Sequence, residues 1–170
     1  MRMKVKYLLV FLLTIILLAG CGKGKTINTF YEDPEATKVV TDAAEFQKMY
    51  TGWAERLTDV ADGTDQAYQE WSSGLISKEE FAEKTRDFYK ETKRLKTENS
   101  YNIVFSLSEG DRELVDYDLV TAAYEKALMQ MKDFLYLLPT LEEEYLVDFY
   151  EYTRETVNDQ LDDVKRYLKI

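Results

Sequence analysis

The chain has 170 residues, with no histidine, one cysteine, two prolines and seven glycines. Each scarcity excludes something. Without histidine there is no side chain of the kind that most often serves as general base, nucleophile activator or zinc ligand. The Glu-x-x-His pairs of di-iron helical bundles are excluded for the same reason. A lone cysteine, Cys21, cannot form an intramolecular disulfide. No G-x-S-x-G elbow, phosphate-binding glycine loop or dinucleotide fingerprint occurs. Nothing in the chain calls for a cofactor or a metal, and the expectation is a protein that catalyses nothing.

What is present begins with targeting. Met1 to Lys6 carries three basic residues and no acid, and an apolar run follows from Tyr7 to Leu18, broken only by Thr14. These are the charged and apolar regions of a secretory signal. The run is shorter than the ~20 residues a membrane-spanning helix needs. Leu18-Ala19-Gly20-Cys21 then resembles the lipobox of bacterial lipoproteins: an aliphatic residue, two small residues and cysteine. The resemblance covers residues 1 to 21. It implies cleavage after Gly20 and lipidation of Cys21, with the mature protein held by acyl chains on the extracytoplasmic face of the cell membrane. Two acyl chains give the stable anchoring that one does not. The alternative is an ordinary exposed thiol after a conventional signal peptide, a liability in an exported protein.

The expected organisation is a signal peptide over 1–20, a flexible lipidated tether over 21–33 and a helical domain over 34–170. Loss of Arg2, Lys4 and Lys6 with the signal takes the net charge from −10 to −13. That balance argues against nucleic acid, which needs a basic footprint. It also argues against the folded domain lying flat on an anionic membrane. Lys23 and Lys25, beside the anchor, are the exception.

Four runs of apolar residues at alternating spacings of three and four mark helical seams. The first is Val39, Ala43, Phe46, Tyr50, Trp53, Leu57, Val60, Tyr68, Trp71 and Leu75, with Thr64 as its polar gap. Its phase holds across Gly63, so it predicts one long helix from about 35 to 73. Asp33-Pro34 is one start for it, and Asp42 with Glu45 three residues on is a rival. The second run is Phe81, Thr85, Phe88, Thr92 and Leu95. The third is Leu114, Tyr117, Thr121, Tyr124, Leu128, Met131, Leu135 and Leu138. The fourth is Leu146, Phe149, Thr153, Val157, Leu161, Val164 and Leu168. Ser72-Ser73-Gly74 ends the first helix, and Ser77 with Glu80 makes a capping box for the second. Pro139 ends the third, and Thr140 with Glu143 makes another box. The predicted fold is an all-α, four-helix bundle of two antiparallel hairpins. Tyr101 to Phe105 has strand propensity but no evident partner strand, so it reads as an extension of the second helix or a crossing loop. The segment Gly74 to Phe81 resembles the start of short helical-hairpin modules at the ends of bacterial proteins. It covers eight residues and implies no function.

Three acidic groups have structural explanations. Glu142-Glu143-Glu144 places favourable charge at a helix start. Asp159, Asp162 and Asp163 read as a solvated face. Asp59 to Asp65 fails as a calcium loop, because a turn at Gly63 would put Thr58 and Val60 at ligand positions. Aromatics are the remaining oddity, with 13 tyrosines and two tryptophans. On the fourth helix Tyr150 and Tyr152 fall at opposite edges of the apolar arc, and Tyr145 lies near Tyr152. Such residues either widen a core or anchor a partner. Tyr145, Tyr150 and Tyr152 are therefore the candidate partner-binding residues. The expected role is a non-enzymatic protein-interaction or accessory module at the cell envelope. The alternative is a lipoprotein that binds a small ligand or, chaperone-like, a basic peptide. The chain also resembles the small, acidic, lysine-rich lipoproteins of Gram-positive bacteria.

Overall fold

The computed structural model describes residues 38–170, and the expected signal peptide over 1–20, Cys21 and the expected tether over 21–33 lie outside the described residues. The described chain is an all-α bundle with a small ladder at one end. In order, its elements are β1 (Lys38–Val40), α1 (Ala43–Ser72), α2 (Lys78–Tyr101), β2 (Ile103–Phe105), α3 (Glu109–Leu114), α4 (Tyr117–Leu137), a 3-10 turn (Leu138–Thr140) and α5 (Glu143–Leu168). Among the described residues no helix is long and apolar enough to cross a membrane.

Helix α1 starts at the rival position. The Asp42 carboxylate accepts from the Glu45 backbone N–H at 2.8 Å, which satisfies one of the orphan donors of the first turn. Val39 and Val40 are not helical. They belong to β1, which pairs in parallel with β2 in the register Lys38↔Ile103, Val39↔Val104 and Val40↔Phe105. The strand propensity of Ile103-Val104-Phe105 is thus realised, on a partner strand some 65 residues away in sequence. Val40 is fully buried beneath the ladder.

The α1–α2 turn follows its signals. Gly74 takes a positive φ of 76°, which glycine adopts without strain. The Ser77 hydroxyl accepts from Glu80 N–H, and the Glu80 carboxylate accepts from Ser77 N–H at 2.8 Å. Leu75, counted in the first seam by its spacing, is instead 77% exposed in this turn. The second expected box does not form. Pro139 draws Thr140 into the 3-10 turn, where its hydroxyl donates to the Leu137 carbonyl at 2.6 Å. Leu141 is then extended, and α5 begins from Glu142 without a side-chain cap.

The third seam also starts later than its spacing suggests. Residues 109–114 form the short helix α3, capped by Ser108. Asp116 in the left-handed region, with φ of 50°, separates it from α4. Leu114 is left exposed.

Helix α1 packs against α2 and α5, and α4 packs against the same two, so the four long helices run round the bundle as α1–α2–α4–α5. The seams meet in a single core that includes Phe46, Leu57, Phe81, Leu95, Leu128, Met131, Leu146 and Leu168. Buried threonines on the seams satisfy their hydroxyls within their own helices: Thr64 donates to Val60 O, Thr85 to Phe81 O and Thr92 to Phe88 O. These i−4 bonds let a polar residue occupy a core position without an orphaned group. Gly63 has a packing reason: a Cβ there would lie 2.6 Å from the Phe88 ring. Its absence lets α2 lay an aromatic edge on α1.

Candidate partner-binding surface

Two aromatic assemblies stand out in the bundle. Near the ladder, Phe46, Tyr50, Trp53, Phe105, Tyr117 and Tyr124 form a connected cluster with ring centroids 4.6–6.3 Å apart. Its polar tips turn toward α2. Tyr50 donates to Asn99 at 3.1 Å and Trp53 Nε1 to Glu98 at 3.2 Å. Arg56 then bridges Glu91 and Glu98 with bonds of 2.6–3.1 Å, and Arg94 contacts both carboxylates. Hydrogen bonding from Arg56 is the main cause holding Glu98 below the usual carboxylate range. Burial alone would raise Glu91, but bonds from Arg56 and Arg94 overcome it and its carboxyl is also lowered. Desolvation pushes the hydroxyls of Tyr50 and Tyr124 well above the ordinary tyrosine value. The Tyr124 hydroxyl is buried with no hydrogen-bond partner. This assembly is mostly buried and tied to α2 by hydrogen bonds and ion pairs, which gives it a structural role.

The second assembly follows α5. Tyr150 is only 4% exposed. Its ring stacks on Tyr68 with centroids 3.5 Å apart and planes 6° from parallel, and its hydroxyl donates to Asp65. Arg154 Nε holds the other oxygen of Asp65 at 2.6 Å. Burial, then the bond to Asp65, raises the Tyr150 hydroxyl far above its ordinary value. The expected arc-edge position of Tyr150 is therefore corrected. Asp65 gives its hydroxyl a partner on α1, so the residue sits inside the α1–α5 seam, where it offers a partner no surface.

Tyr145 and Tyr152 lie on the other side of α5 and are open, at 46% and 74% exposure. Between them is Phe149, half-buried against Phe134 of α4 with centroids 6.0 Å apart. The spacing 145, 149, 152 is i, i+4, i+7, which places all three on one helix face. Leu137, one turn past Phe134, is exposed at the end of α4. The result is an aromatic ridge along the outer α4–α5 seam. Phe149 was hidden from sequence reasoning because its spacing also fits the core seam. Only its half-exposure shows that it serves both.

Carboxylates flank the ridge. Asp148 is three residues after Tyr145 and four before Tyr152, Glu155 is three after Tyr152, and Asp159 follows one turn on, all exposed. The Glu144 carboxylate raises the Tyr145 hydroxyl by hydrogen bonding and by its charge. The only cation of α5 before Lys165 is Arg154, which is turned to Asp65 on α1. Across the seam, α4 adds by helical phase Lys126 and Asp133, the latter paired with Lys132 at 3.5 Å.

The described residues include two notable concavities. One, of about 610 Å³, is an open depression on α1 around Met49, Gly52 and Trp53. The other, of about 80 Å³, lies between α2 and α4 near Asn99 and Leu128. The second is smaller than sites that bury a drug-sized ligand, which run to ~300 Å³ and above. Among the described residues no three carboxylates gather as a metal site would require. Cys21 lies outside the described residues. Compared with known protein families, with curated proteins and with solved structures, the chain matches none.

Proposed function

We propose that the protein is a lipoprotein anchored through Cys21 to the extracytoplasmic face of the cell membrane, where its bundle acts as a non-enzymatic interaction or accessory module. The Leu18-Ala19-Gly20-Cys21 pattern after a short apolar run supports the anchor. The observation that carries the interaction reading is the ridge of exposed Tyr145 and Tyr152 with partly buried Phe149 between them. A monomer seldom leaves aromatics aligned over two turns in water, and aromatic side chains are the usual anchors of protein interfaces. A bundle serving only as a spacer has no use for such a face. The small-ligand alternative draws no support from the 80 Å³ pocket, and the 610 Å³ depression on α1 is open to solvent, unlike sites that bury most of a ligand.

The two halves are tested separately. Cys21→Ser should release the protein to the medium or leave an unprocessed precursor; a membrane-bound product of mature mass would exclude the anchor. For the surface, the double variant Tyr145→Ala/Tyr152→Ala should fold, as read by circular dichroism, and lose the partner that the parent protein captures from its own membranes. A folded double variant that still captures every partner would exclude the ridge.

A further inference from the structure

The ridge also carries information about what it binds. We infer that it recognises a cationic segment of a protein partner, with two Lys or Arg side chains about 10 Å apart stacking on Tyr145 and Tyr152. This rests on the reading of the ridge as the partner surface and names the chemistry of its occupant.

The spacing comes from the helix. Seven residues at 1.5 Å rise separate the two tyrosines by about 10 Å along α5. Each ring has carboxylates beside it: Glu144 and Asp148 next to Tyr145, Asp148 and Glu155 next to Tyr152. A tyrosine face attracts a cation through its quadrupole, and a neighbouring carboxylate adds Coulomb attraction and a hydrogen-bond acceptor. Aromatic faces bracketed by acids are thus matched to guanidinium and ammonium groups. Phe149 between them supplies an apolar contact for the stem or for a residue between the two cations.

The same charges argue against other occupants. Arg154, the nearest cation on α5, is engaged by Asp65, Asp133 is paired with Lys132, and Lys126 is the cation that α4 adds to this face against Asp148, Glu155 and Asp159. A second copy of the chain would bring the same excess of acids to the contact, so the face does not complement itself. Anionic lipid headgroups are repelled for the same reason. A helix carrying cations at i and i+7 matches the distance, and its apolar i+3 or i+4 position falls opposite Phe149.

The test uses the full chain in a nonionic detergent and three fluorescent helical peptides on one scaffold. The first carries Arg at i and i+7 with Leu at i+4, the second carries Glu in place of both Arg, and the third places the two Arg on opposite faces. Binding is read by anisotropy. The first peptide should bind best. Its affinity should fall about tenfold in Tyr145→Ala/Tyr152→Ala and again on raising NaCl from about 50 to 500 mM. Tyr145→Phe/Tyr152→Phe keeps the rings and should retain most of the binding. Binding of the Glu peptide as tight as that of the Arg peptide would overturn the inference. So would Arg-peptide binding that ignores the double alanine variant in a protein whose melting curve is unchanged. If capture of the native partner depends on the ridge but resists salt and no Arg peptide binds, the cationic assignment is wrong and the interaction surface stands. If neither capture nor peptide binding depends on the ridge, both are wrong.

Discussion

Helices α1 and α5 each carry aromatics at intervals of three and four, yet they use them differently. On α1, Tyr50 and Trp53 are buried and their polar atoms bond to Asn99 and Glu98 on α2. On α5, Tyr145 and Tyr152 project into solvent, and Tyr150 alone of the three candidate tyrosines is drawn inward by Asp65 and Tyr68. Ion pairs follow the same division. Arg56 and Lys84 tie α1 to α2, and Arg154 ties α5 to α1, whereas among the described residues the ion pair between α4 and α5 joins only their caps, Asp116 and Lys169 at 3.0 Å. The difference is set by what faces each ring across the seam. Spacing alone does not decide it. Tyr50 and Tyr150 go inside where a neighbouring helix supplies an acceptor for the hydroxyl, whereas Tyr124 is held inside by ring packing alone, its hydroxyl unpartnered.

The contrast within α5 is where this account breaks most visibly if it is wrong. Tyr150→Ala should cost about 3–5 kcal/mol, since it empties a stacked core position and leaves Asp65 without that donor. Tyr152→Ala should stay within about 0.5 kcal/mol. Denaturant titrations of the two variants that gave equal losses would erase the distinction between the faces. In the core proper, Leu128 is 3% exposed, and Leu128→Ala should lose about 2–5 kcal/mol.

The α1–α2 network sharpens the comparison through pH. Glu98 and Glu91 are held below their ordinary values, chiefly by Arg56 for Glu98 and against burial for Glu91. Depressed carboxylates bind fewer protons folded than unfolded. Their stabilisation is therefore full above the ordinary carboxylate value and is lost as pH falls through the folded values. Arg56→Leu should cost about 2 kcal/mol near neutrality. It should also flatten the loss of stability between about pH 5 and pH 3, because the two glutamates then lose the partner that lowered them. An acid limb of unchanged steepness in thermal melts of the variant would show that the network does not set it.

The smallest effect concerns Gly63. Alanine normally gains about 1 kcal/mol over glycine inside a helix. Here its Cβ would press on Phe88 at 2.6 Å, and overpacking costs about 1–3 kcal/mol. Gly63→Ala should therefore be destabilising by about 1 kcal/mol. Adding Phe88→Leu should recover part of that loss if the clash is its source; a stabilised single variant would mean that the ring moves freely.

Much of the bundle was legible because helix periodicity and caps are local. The long helix through Gly63, the Ser77–Glu80 box and the stop at Gly74 are all read from a few neighbouring residues. What was illegible depended on distant partners. The ladder needs Val39 to meet Val104, and no short window contains both. Thr140 and Glu143 have the spacing of Ser77 and Glu80, but Pro139 commits Thr140 to a tighter turn before the helix begins. At the candidate surface the sequence marked two residues that are open, Tyr145 and Tyr152. It could not separate Tyr150 from them, because the reason for its burial, Asp65, stands 85 positions away on another helix.

The proposed interaction surface stands or falls on whether the outer face of α5 at Tyr152 meets a partner. Site-specific photo-crosslinking in native membranes tests this directly, with a benzophenone side chain placed either at Tyr152 or at Lys90, an exposed position on α2. The account predicts a discrete, heavier adduct from position 152 and none from position 90. Adducts of equal yield from both positions, or an adduct from position 90 alone, would contradict it.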